Sequence, residues 1–436
     1  MTRQSTTIFA LSSGSVPSGV AVLRLSGPLV RFALETMAGL VPPPRSARLA
    51  SIRGSSGEVL DRGLVLYFAS PSSFTGEDVA EFHLHGGRAV VAAVRERLAE
   101  LGLFSAEAGE FTRRAFVNGK LDLTEAEALG DLIEADTEAQ RRLATNNAAG
   151  AQRELYEGWR SRILHMRAMV EADLDFSDEG DVGEAVAAEV WSEAANLAHD
   201  VRAHLGRLRE GEIVRDGYKV VLAGAPNVGK SSLLNRLAGR DAAIVTPEPG
   251  TTRDVIEVAL DLGGVKVRLL DTAGLRAEAG MVERIGMERA RAAAADADLV
   301  LLLVDAEGGA AELPDVYGET LVVRSKADLY RDDGSEGLRI SAVTGEGIEK
   351  LLKIVGAKAA SSARLALDSV VPTRLRHAEA LREVVLELSA GIDSRVGLEL
   401  RAEGLRRAGD ALGRLTGTIH TDEVLGVIFS RFCIGK

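Results

Sequence analysis

The sequence predicts a multidomain α+β protein in which an α/β domain is inserted into a helical domain. Three observations lead to this prediction. The chain has 436 residues, which is too long for a single hydrophobic core. Helical periodicity occurs before residue 213 and returns after residue 371, whereas β runs alternate with helical stretches between residues 218 and 356. We therefore expect one helical domain, built from two chain segments, on either side of an inserted domain.

The regions outside the insertion differ in texture. Residues 1–118 mix short apolar strands with turns rich in glycine and serine, which is typical of an α+β domain. Residues 119–215 and 361–436 carry apolar side chains at three- and four-residue spacing, as in LTEAEALGDLI, and are expected to be helical. Thr124 and Glu127 have the spacing of a capping box, which predicts a helix start at this point.

The inserted domain, residues 216–360, contains four apolar β runs separated by helical stretches. The runs are KVVLAGA, VKVRLLDTAG, ADLVLLLVDA and ETLVVRSK. Alternation of this kind predicts βαβ units, whose strands form a parallel sheet.

Composition describes a globular protein without a disulfide framework. Hydrophobic residues make up 46% of the chain and charged residues 27%, and Cys433 is the single cysteine, which fits a reducing compartment. The longest purely apolar run, residues 299–304, is far shorter than a membrane span, and the N-terminus has no signal-peptide pattern. The formal net charge of −12 argues against a general nucleic-acid coat. We expect a cytoplasmic protein that contacts no membrane.

The stretch GAPNVGKS, residues 224–231, has the form of a phosphate-binding P-loop between a strand and a helix. Its glycines let backbone N–H groups surround phosphates, Lys230 reaches the β- and γ-phosphate oxygens, and Ser231 is a ligand for Mg²⁺. The residues of this loop and helix start that we expect to contact the nucleotide are Asn227, Val228, Gly229, Lys230, Ser231 and Ser232.

Four further motifs follow the P-loop in the order found in GTPases. GTTRD offers Thr252 to Mg²⁺, and DTAG places Asp271 near the metal and the Gly274 amide near the γ-phosphate. SKAD offers the Asp328 carboxylate to guanine as a two-pronged acceptor, and SAVTG suits the loop over the base. The ordered set predicts a GTPase (G) domain. The other nucleotide contacts expected in and around these motifs are Thr246, Pro247, Glu248, Pro249, Gly250, Thr251, Thr272, Ala273, Ser325, Lys326, Ala327, Ser341, Ala342 and Val343.

Two positions depart from the common small-GTPase pattern. Ser325 stands where the guanine motif usually begins with asparagine, so we expect weaker affinity for the base. Leu275 follows DTAG, where many GTPases carry the glutamine that orients the attacking water. Another group must therefore position the water, and another cation must replace the arginine finger.

Several long stretches resemble the MnmE (TrmE) family of tRNA-uridine-modifying GTPases. They are SFTGEDVAEFHLHGG, AGEFTRRAFVNGKLDLTEAEALGDLI, GAPNVGKSSLLN, GTTRD, DTAGLR with VERIGMERA, and the terminal CIGK. The resemblance implies a folate-binding N-terminal domain that dimerises, a helical domain in two segments and an inserted G domain. It also implies a heterotetramer with the flavoprotein MnmG (GidA), which carries FAD. The implied reaction adds an aminomethyl-type (carboxymethylaminomethyl) group at C5 of the wobble uridine of certain tRNAs, using a one-carbon tetrahydrofolate.

In this family potassium replaces the arginine finger. By resemblance, Asn227 is a potassium ligand, and the loop TPEPGTT adds the potassium ligands Thr246, Glu248 and Thr251, with Pro247 and Pro249 restricting its shape. Glu283 matches the catalytic glutamate that orients water indirectly, although an ordinary solvated helix glutamate is the alternative.

The resemblance also implies folate-binding residues. They are Arg24, Glu81, Lys120 and Lys436. Basic side chains suit carboxylates of the folate tail, and a carboxylate accepts two hydrogen bonds from the amino-pyrimidine edge of a pterin. His83 and His85 share a strand face and allow a metal site, although two ordinary strand-end histidines are the simpler interpretation. For Cys433 we leave open a nucleophile that attacks the uracil ring and a small side chain that docks the tail.

Two other functions stay open from the residues. One is a GTPase switch in ribosome assembly, which predicts an RNA-binding module with a basic face that the sequence does not show. The other is a folate enzyme regulated by GTP, in which no nucleic acid takes part.

Overall fold

The computed structural model describes residues 6–175, 183–225, 227–240, 242–244, 257–271, 295–305, 319–330, 337–419, 422–430, 432 and 434–435. The chain forms two compact units. The first contains residues 1–130 and 412–436, and the second contains residues 131–411. Each unit has its own six-stranded sheet.

The sheet of the first unit is mainly antiparallel, in the order β3-β4-β5-β2-β1-β6. Only the short pairing of β1 with β6 is parallel. Its strands are β1 (Ile8–Leu11), β2 (Ser18–Ser26), β3 (Arg48–Arg53), β4 (Val59–Phe68), β5 (Val79–Gly86) and β6 (Phe104–Ser105). Side chains alternate along these strands, so Leu23 and Phe82 point into the core while Arg24 and Glu81 lie on the opposite face.

Two helices cover the inner face of this sheet. They are α1 (Val30–Ala38) and α2 (Arg88–Glu100). Leu34 of α1 and Leu98 of α2 are fully buried in one core with Leu23, Leu25 and Phe82. The short strands predicted for this region are confirmed, and both helices pack on the face opposite to Arg24.

The described part of the first unit contains three further helices. They are α3 (Glu110–Val117), α4 (Leu123–Ile133), whose last turn enters the second unit, and α13 (Asp422–Ser430). The capping box predicted at Thr124 is wrong by two residues. Asp122 Oδ1 accepts the Glu125 N–H at 2.7 Å, and Glu125 Oε2 accepts the Asp122 N–H at 2.7 Å. Aspartate is as good an N-cap as threonine, and here it precedes the first helical residue.

The sheet of the second unit follows the order β12-β11-β10-β7-β9-β8 and confirms the predicted parallel sheet. Only β8 runs antiparallel to its neighbour β9. The strands are β7 (Tyr218–Gly224), β8 (Glu257–Leu262), β9 (Val265–Asp271), β10 (Leu299–Val304), β11 (Glu319–Arg324) and β12 (Leu338–Arg339). The central strands are apolar on both faces because helices cover both sides of such a sheet.

Four helices pack beside this sheet. They are α5 (Glu138–Ala148), α8 (Leu208–Asp216), α9 (Lys230–Ala238) and α10 (Ile348–Asp368). Ala139 and Leu143 of α5 share a buried core with Val267 of β9. The Ala139 N–H also donates to Gly264 O at 2.9 Å, at the turn between β8 and β9. A helix from the segment 119–215 therefore packs directly on the inserted sheet, which the sequence did not predict.

Long helices form the rest of the second unit. They are α6 (Ala151–Asp175), α7 (Gly183–Leu205), α11 (Leu375–Ile392) and α12 (Leu398–Thr416), the last of which continues into the first unit. Tyr156, Trp159, His204 and His377 meet in their interior, all less than one-tenth exposed. Among the described residues, no helix combines the length and the apolar character needed to cross a membrane.

Candidate functional site

The P-loop connects β7 to α9 and is shaped by residues in left-handed backbone conformations. Gly224 has a φ of 142° and Gly229 a φ of 106°. A Cβ added to Gly224 would lie 2.4 Å from Leu303 O, so only glycine fits beside β10. Asn227 also has a positive φ, 63°, which asparagine tolerates better than most residues. The Lys230 ammonium is buried and donates to Gly224 O and Ala225 O, both at 2.8 Å, so it lies inside the loop. This arrangement is an anion site at a helix N-terminus.

Ser231 and Asp271 meet beside the P-loop although 40 residues separate them. The Ser231 hydroxyl donates to Asp271 Oδ2 at 2.9 Å, and Asp271 ends β9 with only 1% exposure. A hydroxyl and a buried carboxylate at this separation are the oxygen donors that Mg²⁺ prefers. These residues therefore fit the magnesium predicted from the sequence.

Ser325 contacts the P-loop through its side chain. It is 8% exposed, and its hydroxyl donates to Val228 O at 2.6 Å. The next residue, Lys326, has a positive φ of 58°, and its ammonium lies 3.2 Å from Asp305 Oδ2 at the end of β10. The guanine motif is thus held by the P-loop on one side and by a neighbouring strand end on the other.

Asp328 is oriented by the loop expected to cover the base. The buried Ser341 hydroxyl donates to Asp328 Oδ1 at 2.5 Å and accepts the Thr344 N–H at 3.1 Å. The Ala327 N–H donates to Ile340 O at 3.0 Å, which joins the two loops again. The motifs of the described residues lie at the carboxyl ends of parallel strands, where open α/β sheets bind ligands.

The remaining predicted nucleotide and tail positions lie outside the described residues. They are Thr246, Pro247, Glu248, Pro249, Gly250, Thr251, Thr252, Thr272, Ala273, Gly274, Glu283, Cys433 and Lys436.

A second cluster lies on the outer face of the first unit's sheet. Arg24 of β2 and Glu81 of β5 are directly paired, and Arg24 Nε and Nη2 both lie 3.0 Å from Glu81 Oε1. His83 Nε2 lies 3.0 Å from Glu81 Oε2. The Phe74 ring centroid is 5.9 Å from the Arg24 guanidinium carbon. The fold therefore joins the predicted pair Arg24 and Glu81 with Phe74 and His83, neither of which was expected to bind folate.

Lys120 reaches the same neighbourhood through the loop of residues 72–78. A Cβ added to Gly76 in that loop would lie 3.1 Å from Lys120 Cε. A hydrogen bond fixes the loop to the end of α3, because the Asn118 amide donates to Thr75 O at 2.7 Å. Arg114, only 5% exposed, forms ion pairs with Glu77 at 3.1 Å and with Glu110 at 3.0 Å. The four-residue spacing of Glu110 and Arg114 on one helix is the sequence signal that could have indicated this ion pair.

The C-terminal tail packs against the same sheet. Ile434 forms an antiparallel bridge with Ala108, and the Ser12 hydroxyl donates to Gly435 O at 2.8 Å. Gly435 has a φ of 98°, and a Cβ there would lie 2.2 Å from Leu11 O. The tail therefore contacts the end of β1, the strand next to β2, which carries Arg24.

Each strand-face histidine is paired with its own carboxylate. His83 bonds Glu81, and His85 Nδ1 lies 2.8 Å from Asp61 Oδ1. Burial opposes ionisation of Asp61, but hydrogen bonds from the His85 side chain and backbone hold the pKa of Asp61 below its usual value. Across the described ranges, no group of three histidine, cysteine, aspartate or glutamate side chains could hold a metal ion.

Comparison with known families covers almost the whole chain. Residues 7–120 match the family described as GTP-binding protein TrmE N-terminus, and residues 123–433 match the MnmE helical domain family. The second match alone extends over more than half of the chain.

Curated relatives match over nearly their full length. The tRNA modification GTPase MnmE of Mesorhizobium japonicum is 54% identical over 440 residues, which covers 98% of this chain and 99% of that protein. Those of Brucella canis and Chelativorans sp. are each 52% identical, over 437 and 434 residues, which covers 99% of this chain and 98% of each relative. With the phosphate, magnesium and guanine elements in place around one sheet, the chain belongs to the MnmE family of tRNA modification GTPases.

Proposed function

We propose that this protein hydrolyses GTP to drive the modification of tRNA in the cytoplasm. In this proposal it works with a flavoprotein of the MnmG (GidA) type and adds a carboxymethylaminomethyl-type group at C5 of the wobble uridine. The observation that carries the proposal is the presence, in one chain, of the nucleotide elements around Lys230 and of the Arg24–Glu81 cluster. A GTPase switch would use only the first of these.

Four side chains have separate roles in the proposed nucleotide site. Lys230 neutralises phosphate charge, and Ser231 with Asp271 would hold Mg²⁺, which supplies charge stabilisation at the phosphates. Asp328 accepts from guanine, with its orientation fixed by Ser341. This division explains binding and selectivity, whereas hydrolysis needs a further cation and a group that positions water.

Potassium is the cation in this proposal, with Asn227, Thr246, Glu248 and Thr251 as its ligands. Glu283 would orient the attacking water indirectly, which Leu275 cannot do because its side chain has no hydrogen-bonding atom. A homodimer whose G domains pair, and a heterotetramer with the FAD-carrying partner, complete the assembly.

The folate site belongs to the first unit, with Arg24, Glu81, Lys120 and Lys436. A bound one-carbon tetrahydrofolate would supply the carbon that becomes part of the modification. Because Arg24 is bonded to Glu81, we assign Arg24 to the pterin end of an extended folate. We assign the tail carboxylates to Lys120 and Lys436. The outer sheet face offers both a carboxylate and cations, which fits the two ends of this ligand.

Mass spectrometry of tRNA nucleosides tests the proposal. A strain that lacks this gene should lose the carboxymethylaminomethyl-type wobble uridine, and the intact chain should restore it. The Lys230→Ala variant should not restore it, because the phosphate site is lost. Unchanged wobble uridines in the deletion strain would contradict the tRNA role and favour the ribosome-assembly or folate alternatives.

A further inference from the structure

The Glu81 carboxylate is held from both sides on the outer sheet face. Arg24 Nε and Nη2 approach Oε1, each at 3.0 Å, and His83 Nε2 approaches Oε2 at 3.0 Å. The strand register explains the contact, because Arg24 lies opposite Glu81 and His83 follows Glu81 by two residues on the same face. The three side chains are 26%, 15% and 30% exposed for Arg24, Glu81 and His83, so a ligand can reach them.

The hydrogen-bonding capacity of Glu81 limits what it can accept. A carboxylate has about four lone-pair sites, two on each oxygen. Arg24 Nε donates to Oε1, with Nη2 also 3.0 Å from that oxygen, and His83 Nε2 faces one site of Oε2. The amino-pyrimidine edge of a pterin presents two parallel donors, which need one site on each oxygen. Two arginine nitrogens crowd Oε1, so the pterin edge has better access to this oxygen when Arg24 turns away, whereas the His83 bond can stay.

Arg24 has another surface to occupy. Its guanidinium carbon lies 5.9 Å from the Phe74 ring centroid, at the outer limit of a cation–π contact, and Phe74 is 37% exposed. When Arg24 turns toward that ring or toward a ligand, His83 becomes the side chain that holds the carboxylate plane. The His83 tautomer that can do this carries its proton on Nε2.

We propose that His83 is a positioning residue for folate recognition, fixing Glu81 in the orientation that accepts the pterin edge while Arg24 turns to the ligand. This inference rests on the folate role proposed above. The inference places the contribution of His83 at the pterin end only. Replacing His83 should therefore change how strongly the protein recognises the 2-amino group of the ligand and should not change recognition of the tail.

The test measures two ligands on the full-length protein by calorimetry. They are 5-formyltetrahydrofolate and its analogue in which hydrogen replaces the 2-amino group. His83→Leu should weaken folate binding roughly tenfold, which is the scale of a lost hydrogen bond to a charged group. It should also reduce the preference of the protein for the folate over the analogue. His83→Gln should keep both values, because its amide nitrogen can donate to the same oxygen. His85→Leu is the matched control on the same strand face, since His85 bonds Asp61 and not Glu81.

The outcomes separate this inference from the folate proposal. Wild-type protein that binds neither ligand overturns both. Wild-type binding with unchanged values in His83→Leu overturns only the role of His83. An equal loss for both ligands in His83→Leu, or failure of His83→Gln to restore the preference, also overturns it, because a merely structural effect would not depend on the 2-amino group. A wild-type far-UV circular dichroism spectrum and thermal unfolding profile in all three variants show that the first unit is folded.

Discussion

The Ser325 hydroxyl donates to the backbone carbonyl of Val228 at 2.6 Å, which joins the guanine motif to the P-loop. The two residues are 97 positions apart in sequence, and Ser325 is 8% exposed. The serine therefore serves the architecture of the site, although its position suggested weaker contact with the base. This buried hydroxyl is therefore one direct link between the guanine motif and the P-loop.

Ser325→Ala should weaken the binding of GDP and of GTP about equally, by roughly tenfold. The reason is that the buried Val228 carbonyl loses a hydrogen-bond donor, at a cost of about 1–3 kcal/mol. Dissociation of a fluorescent GDP analogue, followed by stopped flow, measures the change. Ser325→Asn should bind GDP at least as tightly as the wild type, since its amide can also donate to Val228 O. The preference over adenine nucleotides should stay in both variants, because Asp328 sets it. Wild-type dissociation from Ser325→Ala would contradict the role of the bond.

The nucleotide motifs could be predicted because their chemistry is local. The P-loop is one continuous stretch between a strand and a helix, so its residues can be recognised from the sequence alone. The partners of Ser325 and Asp328 could not be predicted, because they join loops that only the strand order brings together. The sequence suggested only a metal-ligand role for His83, because the pairing of β2 with β5, which brings Arg24 to the same carboxylate, could not be predicted.

Packing between segments was also beyond the sequence. The periodicity of α5 predicts a helix but not its partner, and Ala139 and Leu143 pack on the inserted sheet. The helix start at Asp122 was missed because Asp, Ser and Thr cap almost equally well, so a motif match can slip by two residues.

GTP hydrolysis should depend on potassium. Replacing potassium by sodium at constant ionic strength should slow turnover by roughly 10³ to 10⁵, the scale of an arginine finger. Asn227→Gly is the matched variant, because glycine keeps the positive φ of 63° and removes the amide oxygen. It should bind GDP normally and lose the stimulation by potassium. Equal turnover of the wild type in the two salts would rule out the potassium role.

Acid should destabilise the second unit through His204. Burial, together with smaller contributions from the nearby His377 and Arg207 side chains, lowers the pKa of His204 to about 4. The unfolded chain binds a proton near the ordinary value of 6.5, so this contribution to stability is complete above that pH and is lost as the pH falls toward 4. The loss should reach about 2 kcal/mol by pH 5.

Melting temperatures of variants at pH 7.5 and pH 5 test this prediction. His204→Gln removes the titrating group, so its melting temperature should fall less on acidification than that of the wild type. His199→Gln is the control, because His199 is exposed on the same helix and its replacement should leave the full acid effect. The same acid effect in His204→Gln and the wild type would show that another group is responsible.

The C-terminal tail should be essential for modification through its docking on the first unit. Any side chain at Gly435 meets Leu11 O, where a Cβ would lie 2.2 Å away, and the positive φ of 98° adds strain. Gly435→Ala should therefore displace the tail, weaken folate binding and abolish modification of tRNA in a complemented deletion strain. GTP hydrolysis should continue, because the tail and the nucleotide site belong to different units. Wild-type folate binding and modification in this variant would show that the docked tail is dispensable.

Cys433→Ser then decides between the two roles left open for the thiol. Serine keeps the size of cysteine but is a far poorer nucleophile at neutral pH, because its hydroxyl stays protonated. Lost modification with normal folate binding and normal GTP hydrolysis would assign covalent attack on the uracil ring to Cys433. Retained modification would eliminate that step and leave Cys433 as a docking residue of the tail. Its two neighbours in sequence both contact the first unit: the ring centroids of Phe432 and Phe429 are 5.6 Å apart, and Ile434 forms a β-bridge with Ala108. The nucleoside spectrum of the complemented strain gives the answer, and Gly435→Ala gives the reference for a tail that has lost its place.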